Sequence, residues 1–365
     1  MLTRRMMMMG AGLAAAVPAL ARGGTPPLII DGLTGISDPD GKDDALELTP
    51  RAIREYRESG LGAIQVTIGD VGNGRGNWDA LVAGAALHAR IAAANPALFT
   101  IARSAADISA ARAAGRIAIV CCVQDTAMVG AELDRLDTMQ GLGIRVVQLT
   151  YNLRNLSGDG ALEPANAGLS RLGRATIARI EANRQLLDLS HGGAQTIREA
   201  IAAATRPMVI SHTGCRALHD NPRNVWDTEL KAVADKGGVV GIYWMPFLVA
   251  NSKPMAADLV RHMTHAVNIC GEDHVSIGTD GILGKTVIDD AARARAAAVD
   301  KQRRALGIAA PGEGPDIFTI IPDLDSHLRY KKLADALVAA GWPSARIDKV
   351  MGANLLRLYG DAWGG

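Results

Sequence analysis

At 365 residues the chain has room for two or three domains of roughly 150 residues each, or for one (β/α)8 barrel of about 250 residues with insertions. Its 39 basic and 38 acidic residues leave a formal charge of +1, with no basic cluster long enough to track a phosphate backbone, which excludes nucleic acid as a partner. A 48% hydrophobic and only 4% aromatic composition with 40 glycines excludes disorder, collagen and coiled coil in favour of an aliphatic, turn-rich globular chain.

In chain order, the first feature is Thr3-Arg4-Arg5, followed by an uncharged run over 6–20 that ends in Ala19-Leu20-Ala21. The segment resembles a twin-arginine export signal, and its apolar run is shorter than the roughly 18 residues that span a bilayer. Residues 1–21 are therefore expected to direct export to the periplasm and to be removed, leaving no stable membrane anchor. The loss of Arg4 and Arg5 takes the 39 basic residues to 37 against 38 acidic ones.

From residue 22 onward, short β-branched runs alternate with stretches of helical period. Strands are expected at 28–31, 63–68, 117–123, 145–150, 186–190, 208–211, 239–244 and 274–278. Helices are expected at 51–59, 78–94, 105–114, 169–183, 195–205, 228–236 and 256–270. Eight strand–helix repeats are the signature of a TIM barrel. A doubly wound sheet would carry a glycine-rich phosphate turn, and the nearest approach, Gly69-Asp70-Val71-Gly72-Asn73-Gly74, does not match GxGxxG. Past Gly281 come a helical insertion over 288–304, a Gly/Pro loop over 311–315 and two or three closing helices that reach Leu358. Residues 22–365 are thus expected to form a single α/β domain, a (β/α)8 barrel of metallo-dependent hydrolase type.

Barrel enzymes assemble their sites at the carboxyl ends of the strands. Those ends are Asp31, Thr67, Gln124 with Asp125, Tyr151 with Asn152, His191, His212, Tyr243 and Asp280. Two histidines and an aspartate on strands five, six and eight suit a metal hydrolase, where neutral imidazoles hold a cation and a carboxylate handles the water. His262 and His265, three apart on a helix, are expected to be packing or surface residues. His88, His219, His274 and His327 have no evident partner. Four cysteines without a CxxC pair, two of them adjacent (Cys121 and Cys122), read as buried small apolar groups, Cys215 among them.

The run Leu187-Asp188-Leu189-Ser190-His191, then Arg206-Pro207-Met208-Val209-Ile210-Ser211-His212, Asn221-Pro222-Arg223-Asn224 and His274-Val275-Ser276-Ile277-Gly278-Thr279-Asp280-Gly281, resembles the membrane (renal) dipeptidase family of zinc peptidases, M19. Gln148-Leu149-Thr150-Tyr151-Asn152 and Met351-Gly352-Ala353-Asn354-Leu355-Leu356-Arg357 fit the same pattern. The resemblance implies a distorted barrel, a binuclear zinc site, hydrolysis of dipeptides and a homodimer. It makes His191 and His212 ligands of one zinc, Asp280 the aspartate near the other, and Arg223 the partner of the substrate carboxylate. The His-x-Asp pair expected after the first strand is replaced by Leu33-Thr34-Gly35, the bridging glutamate by Gln124, and a substrate-side histidine by Tyr151.

Without the bridging carboxylate, repulsion between two dications is unrelieved, so the expectation is one zinc ion or none. The metal set is His191, His212 and Asp280, with Asp125 or the acidic loop over 38–44 as further candidates. Arg223, Tyr151, Asn152, Gln124 and Tyr243 are the expected substrate contacts, with the loop over 155–160 as a cover, and a small carboxylated dipeptide-like molecule is the expected substrate. Three functions stay open: a hydrolase of dipeptides or amides with His191, His212 and Asp280 as catalytic residues, a non-hydrolytic metabolite-tailoring enzyme using the same groups, and a non-catalytic ligand-binding protein.

Overall fold

Parallel strands buried on both faces need unbroken apolar runs, and Ile117–Val123 shows the rule, with all seven of its residues buried. The computed structural model describes residues 27–42, 45–72 and 76–364. The export segment 1–21, together with Asp43, Asp44, Asn73 and Gly74, lies outside the described residues. The barrel strands are β1 (Ile29–Asp31), β2 (Leu61–Thr67), β3 (Ile117–Val123), β4 (Ile144–Gln148), β5 (Leu186–Asp188), β6 (Val209–Thr213), β7 (Val239–Ile242) and β8 (Val275–Ile277). They pair in parallel in that order.

The seam between β8 and β1 is bridged by a bond from Gly32 N–H to the Ile277 carbonyl at 2.9 Å. A Cβ on Gly32 would stand 2.9 Å from that same oxygen, so only glycine lets the two strands approach. Above the seam, Thr34–Gly35 pairs with Gly281–Ile282. The result is a nearly closed (β/α)8 barrel.

Three short strands are absent from the sequence reading, the pair Thr34–Gly35 and Gly281–Ile282 and one more on the barrel sheet. Phe99–Ile101 pairs with the first half of β3, and β4 pairs with the second half. Three residues are too few to show a period.

The helices begin where their caps dictate. Thr49 accepts from Ala52 N–H ahead of Pro50–Glu58, Ser104 and Asp107 form a reciprocal capping box on Ala105–Ala113, and Ser170 caps Arg171–Ala182. Asp38 accepts from the Thr49 N–H and hydroxyl, at 2.6 and 2.8 Å, and Asp40 pairs with Arg51, so the described acids of the 38–44 loop serve a helix start.

Alternate side chains of the strands fill the barrel: Ala63, Ala118, Val120, Cys122, Val146, Leu186, Val209 and Val239 form one apolar cluster with Leu355, Leu358 and Tyr359. The last helix, Asn354–Trp363, thereby closes the amino-terminal mouth, and Tyr359 donates its hydroxyl to Gln65 inside the barrel at 3.1 Å. A larger cluster lies between strands and helices. The opposite mouth stays open and carries the polar residues. Among the described residues, no helix is long and apolar enough to cross a membrane.

Candidate active site

Two buried imidazoles meet at the carboxyl ends of β5 and β6, their ring centroids 4.9 Å apart. His191 lies three residues past β5 in the left-handed backbone region, at φ 62°, a conformation that a non-glycine residue holds only when its surroundings enforce it. Those surroundings include Asn152. Its amide nitrogen donates to the Ile308 carbonyl at 2.7 Å, which turns its oxygen toward His191 Nδ1 at 2.6 Å. Nδ1 therefore carries the proton and Nε2 presents a bare lone pair.

His212 reaches the same state by another route. Asp188 accepts from the backbone N–H of Ser190 and of Ser211 and from both serine hydroxyls. With its hydrogen directed at Asp188, the Ser211 hydroxyl oxygen accepts from His212 Nδ1 at 2.8 Å. Both Nε2 atoms are buried and find no hydrogen-bond partner among the described residues. Burial first, then the Arg223 charge, holds both rings far below the usual histidine range and keeps them neutral, the form that binds metal.

Arg223 adds a third orphan. It is 3% exposed, and its Nη2 has no partner among the described residues. The Asn221 side chain holds its backbone N–H at 2.9 Å, and Thr213 donates to its carbonyl. Its guanidinium stands 6.0 Å from the Tyr243 ring centroid.

Asp280, past β8 and also left-handed at φ 53°, is pinned by its N–H to the Leu33 carbonyl at 2.8 Å. Its side chain lines two cavities. The larger, about 390 Å³, is walled by Tyr151, by Met245, Pro246 and Phe247 after β7, and by the insertion Asp290–Ala305 with the loop that follows it. The smaller, about 160 Å³, lies against Leu33, Thr34, Gly35, Thr67 and His88. Burial pushes the Asp280 carboxyl up to about 6, while Arg223 and Arg303 pull it down.

Other expected residues take different places. Asp125 was a candidate ligand, but its oxygens accept from Gly72 N–H, Ala127 N–H and the Asn155 amide, at 2.8, 3.0 and 2.7 Å, so it ties loops together. Tyr243, expected at the substrate, is fully buried behind Arg223 and donates its hydroxyl to Asn224. Asn152 is also fully buried, with both ends of its amide used, and acts on His191 instead of on a ligand. Gln124 is half-buried, and its backbone carbonyl accepts from Gln148 at 2.6 Å. The loop over 155–160 folds beneath Tyr151, where a Cβ on Gly160 would overlap the Tyr151 carbonyl at 1.8 Å. His262 is buried and fastens Cys215 to Leu248, as a packing residue does. All four cysteines are free and buried.

Two cavity residues escaped the sequence reading. Arg303 of the insertion grips Glu313 through two nitrogens, at 2.6 and 2.8 Å, and donates from Nη1 to the Tyr151 hydroxyl at 3.2 Å. Tyr151 in turn stacks on His191 at 4.2 Å between centroids. In the sequence, Arg303 is one of several arginines on an exposed-looking helix and Glu313 one acid in a glycine-rich loop, so nothing marked either.

The donor set bears on metal. Two bare, buried imidazole nitrogens suit a single zinc-like cation. The structure brings no third ligand to them: among the described residues no group of three His, Cys, Asp or Glu could hold a metal ion. A second cation is poorly served, because Leu33 and Gly35 offer no donor and Gln124 no charge.

A family model described as membrane dipeptidase (peptidase family M19) matches residues 54–295. The chain is 28% identical over 272 residues to an uncharacterised protein in the pqqA 5′ region of Klebsiella pneumoniae, covering 71% of this chain and 88% of that one. It is 28% identical over 295 residues to dipeptidase ataJ of Aspergillus terreus, covering 74% of this chain and 63% of the relative, which is less than two thirds of the relative's length. An amidohydrolase from Pseudomonas aeruginosa superposes with a TM-score of 0.78 at 28% identity, over 93% of this chain and 97% of that one. Dipeptidase AC, described as an M19 metallopeptidase, shares the fold with a TM-score of 0.74 at 19% identity, over 93% and 99% of the two chains.

Proposed function

Because the chain belongs to the membrane dipeptidase family, peptidase family M19, we propose that it is a hydrolase of the amide bond in small, carboxylated, dipeptide-like substrates, with at most one metal ion. The observation that carries this reading is the set of buried orphan atoms: Nε2 of His191, Nε2 of His212 and Nη2 of Arg223. A buried polar atom without a partner costs about 1–3 kcal/mol, and three around one strand-end cluster are what a site leaves open for its ligand.

Each group has a task. Arg223 takes the substrate carboxylate through its free nitrogen, in a buried setting that strengthens the contact. Asp280 removes a proton from the attacking water and returns it to the leaving amine, and a carboxyl near pH 6 does both close to neutrality. His191 and His212 would hold the cation through Nε2, and a zinc ion held there would supply positive charge to the water and the carbonyl. The apolar wall of Met245, Pro246 and Phe247 excludes water from the substrate's side chain.

The test is elemental analysis of the folded protein together with a dipeptide panel. The expected result is up to one equivalent of zinc, cleavage of at least one dipeptide, and loss of both in His191→Ala/His212→Ala. A second reading has one observation in its favour, the lack among the described residues of a third His, Cys, Asp or Glu ligand beside the two imidazoles. A conversion that is non-hydrolytic, resists chelators and dies with His191→Ala would establish that alternative. The reading also takes the protein to be exported, which rests on Thr3-Arg4-Arg5 and is checked by fractionation of the periplasm.

A further inference from the structure

Amide hydrolysis needs a hydrogen-bond donor at the carbonyl oxygen, where negative charge collects as water adds. In the mechanism above Arg223 holds the substrate carboxylate and Asp280 accepts a proton, so neither fills that place. The cavity wall narrows the choice. Arg295 and Thr319 stand exposed at its rim. Arg303 is buried deeper, but its Nε and Nη2 are engaged by Glu313 and its Nη1 by the Tyr151 oxygen. Among the wall's side chains, the remaining donor is the hydroxyl of Tyr151. Its oxygen accepts from Arg303, so its hydrogen points elsewhere, and no described residue accepts that hydrogen.

We infer that Tyr151 is a catalytic residue whose O–H donates to the carbonyl oxygen of the scissile amide, and that Arg303 is the positioning residue that aims it. The inference rests on the hydrolytic reading. Three further observations support it. The Tyr151 ring is 8% exposed and stacked on His191 at 23° between planes, which fixes its direction. Arg303 is itself fixed by the two-point contact with Glu313, whose Oε1 also accepts from the Ala310 N–H at 3.0 Å. A cation donating to a phenol oxygen polarises the O–H bond and strengthens the bond it gives onward.

The step balances. The water oxygen bonds to the carbonyl carbon while one water proton passes to Asp280, and the C=O π pair moves onto the oxygen held by Tyr151, which keeps its proton. The pair then returns, the C–N bond breaks, and the amine nitrogen takes the proton from Asp280. The products are a carboxylic acid and an amine, with no other reactant.

The experiment compares wild type, Tyr151→Phe and Arg303→Lys as full holoenzymes with zinc content and melting temperature measured for each. Tyr151→Phe keeps the ring on His191 and removes one oxygen. The readouts are kcat, KM, affinity for a phosphinate analogue of the cleaved dipeptide, whose tetrahedral oxygen mimics the charged carbonyl, and affinity for the product amino acid. In Tyr151→Phe kcat and phosphinate affinity are expected to fall about 10²–10³-fold, with KM and product affinity within about threefold; Arg303→Lys should lie between. A Tyr151→Phe enzyme that keeps kcat within about threefold, or loses phosphinate and product affinity equally, overturns the inference and leaves the hydrolytic reading standing. A zinc-loaded wild type that cleaves no dipeptide overturns both.

Discussion

Asn152 and His191 meet through one hydrogen bond of 2.6 Å, and that contact decides which nitrogen of the ring carries the proton and which keeps a bare lone pair. The amide is held in its orientation from the far side, by its bond to the Ile308 carbonyl just past the insertion. The loop after β4 thus sets the tautomer of a residue after β5, and the segment that follows the insertion steadies the loop.

Replacing Asn152 by Ala should free the ring to carry its proton on either nitrogen. Zinc affinity is then expected to weaken about 10–100-fold, the usual effect of removing a partner behind a metal-binding histidine. Competition with a chromophoric chelator measures it. Unchanged affinity would mean that the amide does not select the tautomer.

Much of this architecture is legible in the chain itself. Parallel strands are buried on both faces, so β1 to β8 stand out as aliphatic runs, and His191, His212 and Asp280 stand out because they sit at or just past the ends of such runs. What cannot be read is where a side chain turns. Asp125 follows β3 as closely as His191 follows β5, yet its carboxylate is drawn to Gly72 and Asn155, partners that only the folded loops bring near. Tyr243 has the position of a substrate contact and the environment of a support. Arg303 and Arg304 are adjacent, but one reaches into the cavity while the other pairs with Asp300 on the same helix. Helical spacing turns the two about 100° apart and does not say which guanidinium the Glu313 loop will meet.

Arg223 offers a sharper test of substrate charge. Arg223→Lys keeps the cation but loses the planar fork, and a buried ammonium is not an equivalent donor. KM for free dipeptides is expected to rise about 10–100-fold with kcat less affected, while a C-terminally amidated dipeptide, already a poor substrate, should change little. Equal effects on the two substrates would show that Arg223 does not read the carboxylate.

His262 predicts a pH dependence of stability away from the active site. Its Nδ1 accepts from the Cys215 N–H at 3.0 Å and its Nε2 donates to the Leu248 carbonyl at 2.9 Å, a pattern only the neutral ring can make. Burial depresses its pKa from 6.5 to about 4. The unfolded chain therefore binds the proton first, so the stabilisation present above pH 6.5 drains away as pH falls toward 4, on the order of 3 kcal/mol in all. His262→Gln can make both hydrogen bonds without titrating. Denaturant midpoints from pH 8 to about pH 4 should fall more steeply for the wild type than for the variant, and parallel curves would remove the assignment.

Asp280 connects stability and activity with opposite signs. Its carboxyl is raised by burial to about 6, above the unfolded value of 3.8, so this group favours the folded state at low pH and that contribution is lost as pH rises through 6. Activity runs the other way, because a base must be ionised to take a proton from water. The rate kcat/KM is expected to fall about tenfold per pH unit below about 6, a limb that the depressed histidines cannot supply. Asp280→Asn should lower kcat by about 10²–10⁴-fold, erase that limb from the residual rate, and raise the melting temperature at pH 7.5. An acid limb that persists in the variant would assign the proton transfer to another group. A variant less stable than wild type at pH 7.5 would contradict the buried-charge account of Asp280, since an asparagine there removes the ion and keeps the shape.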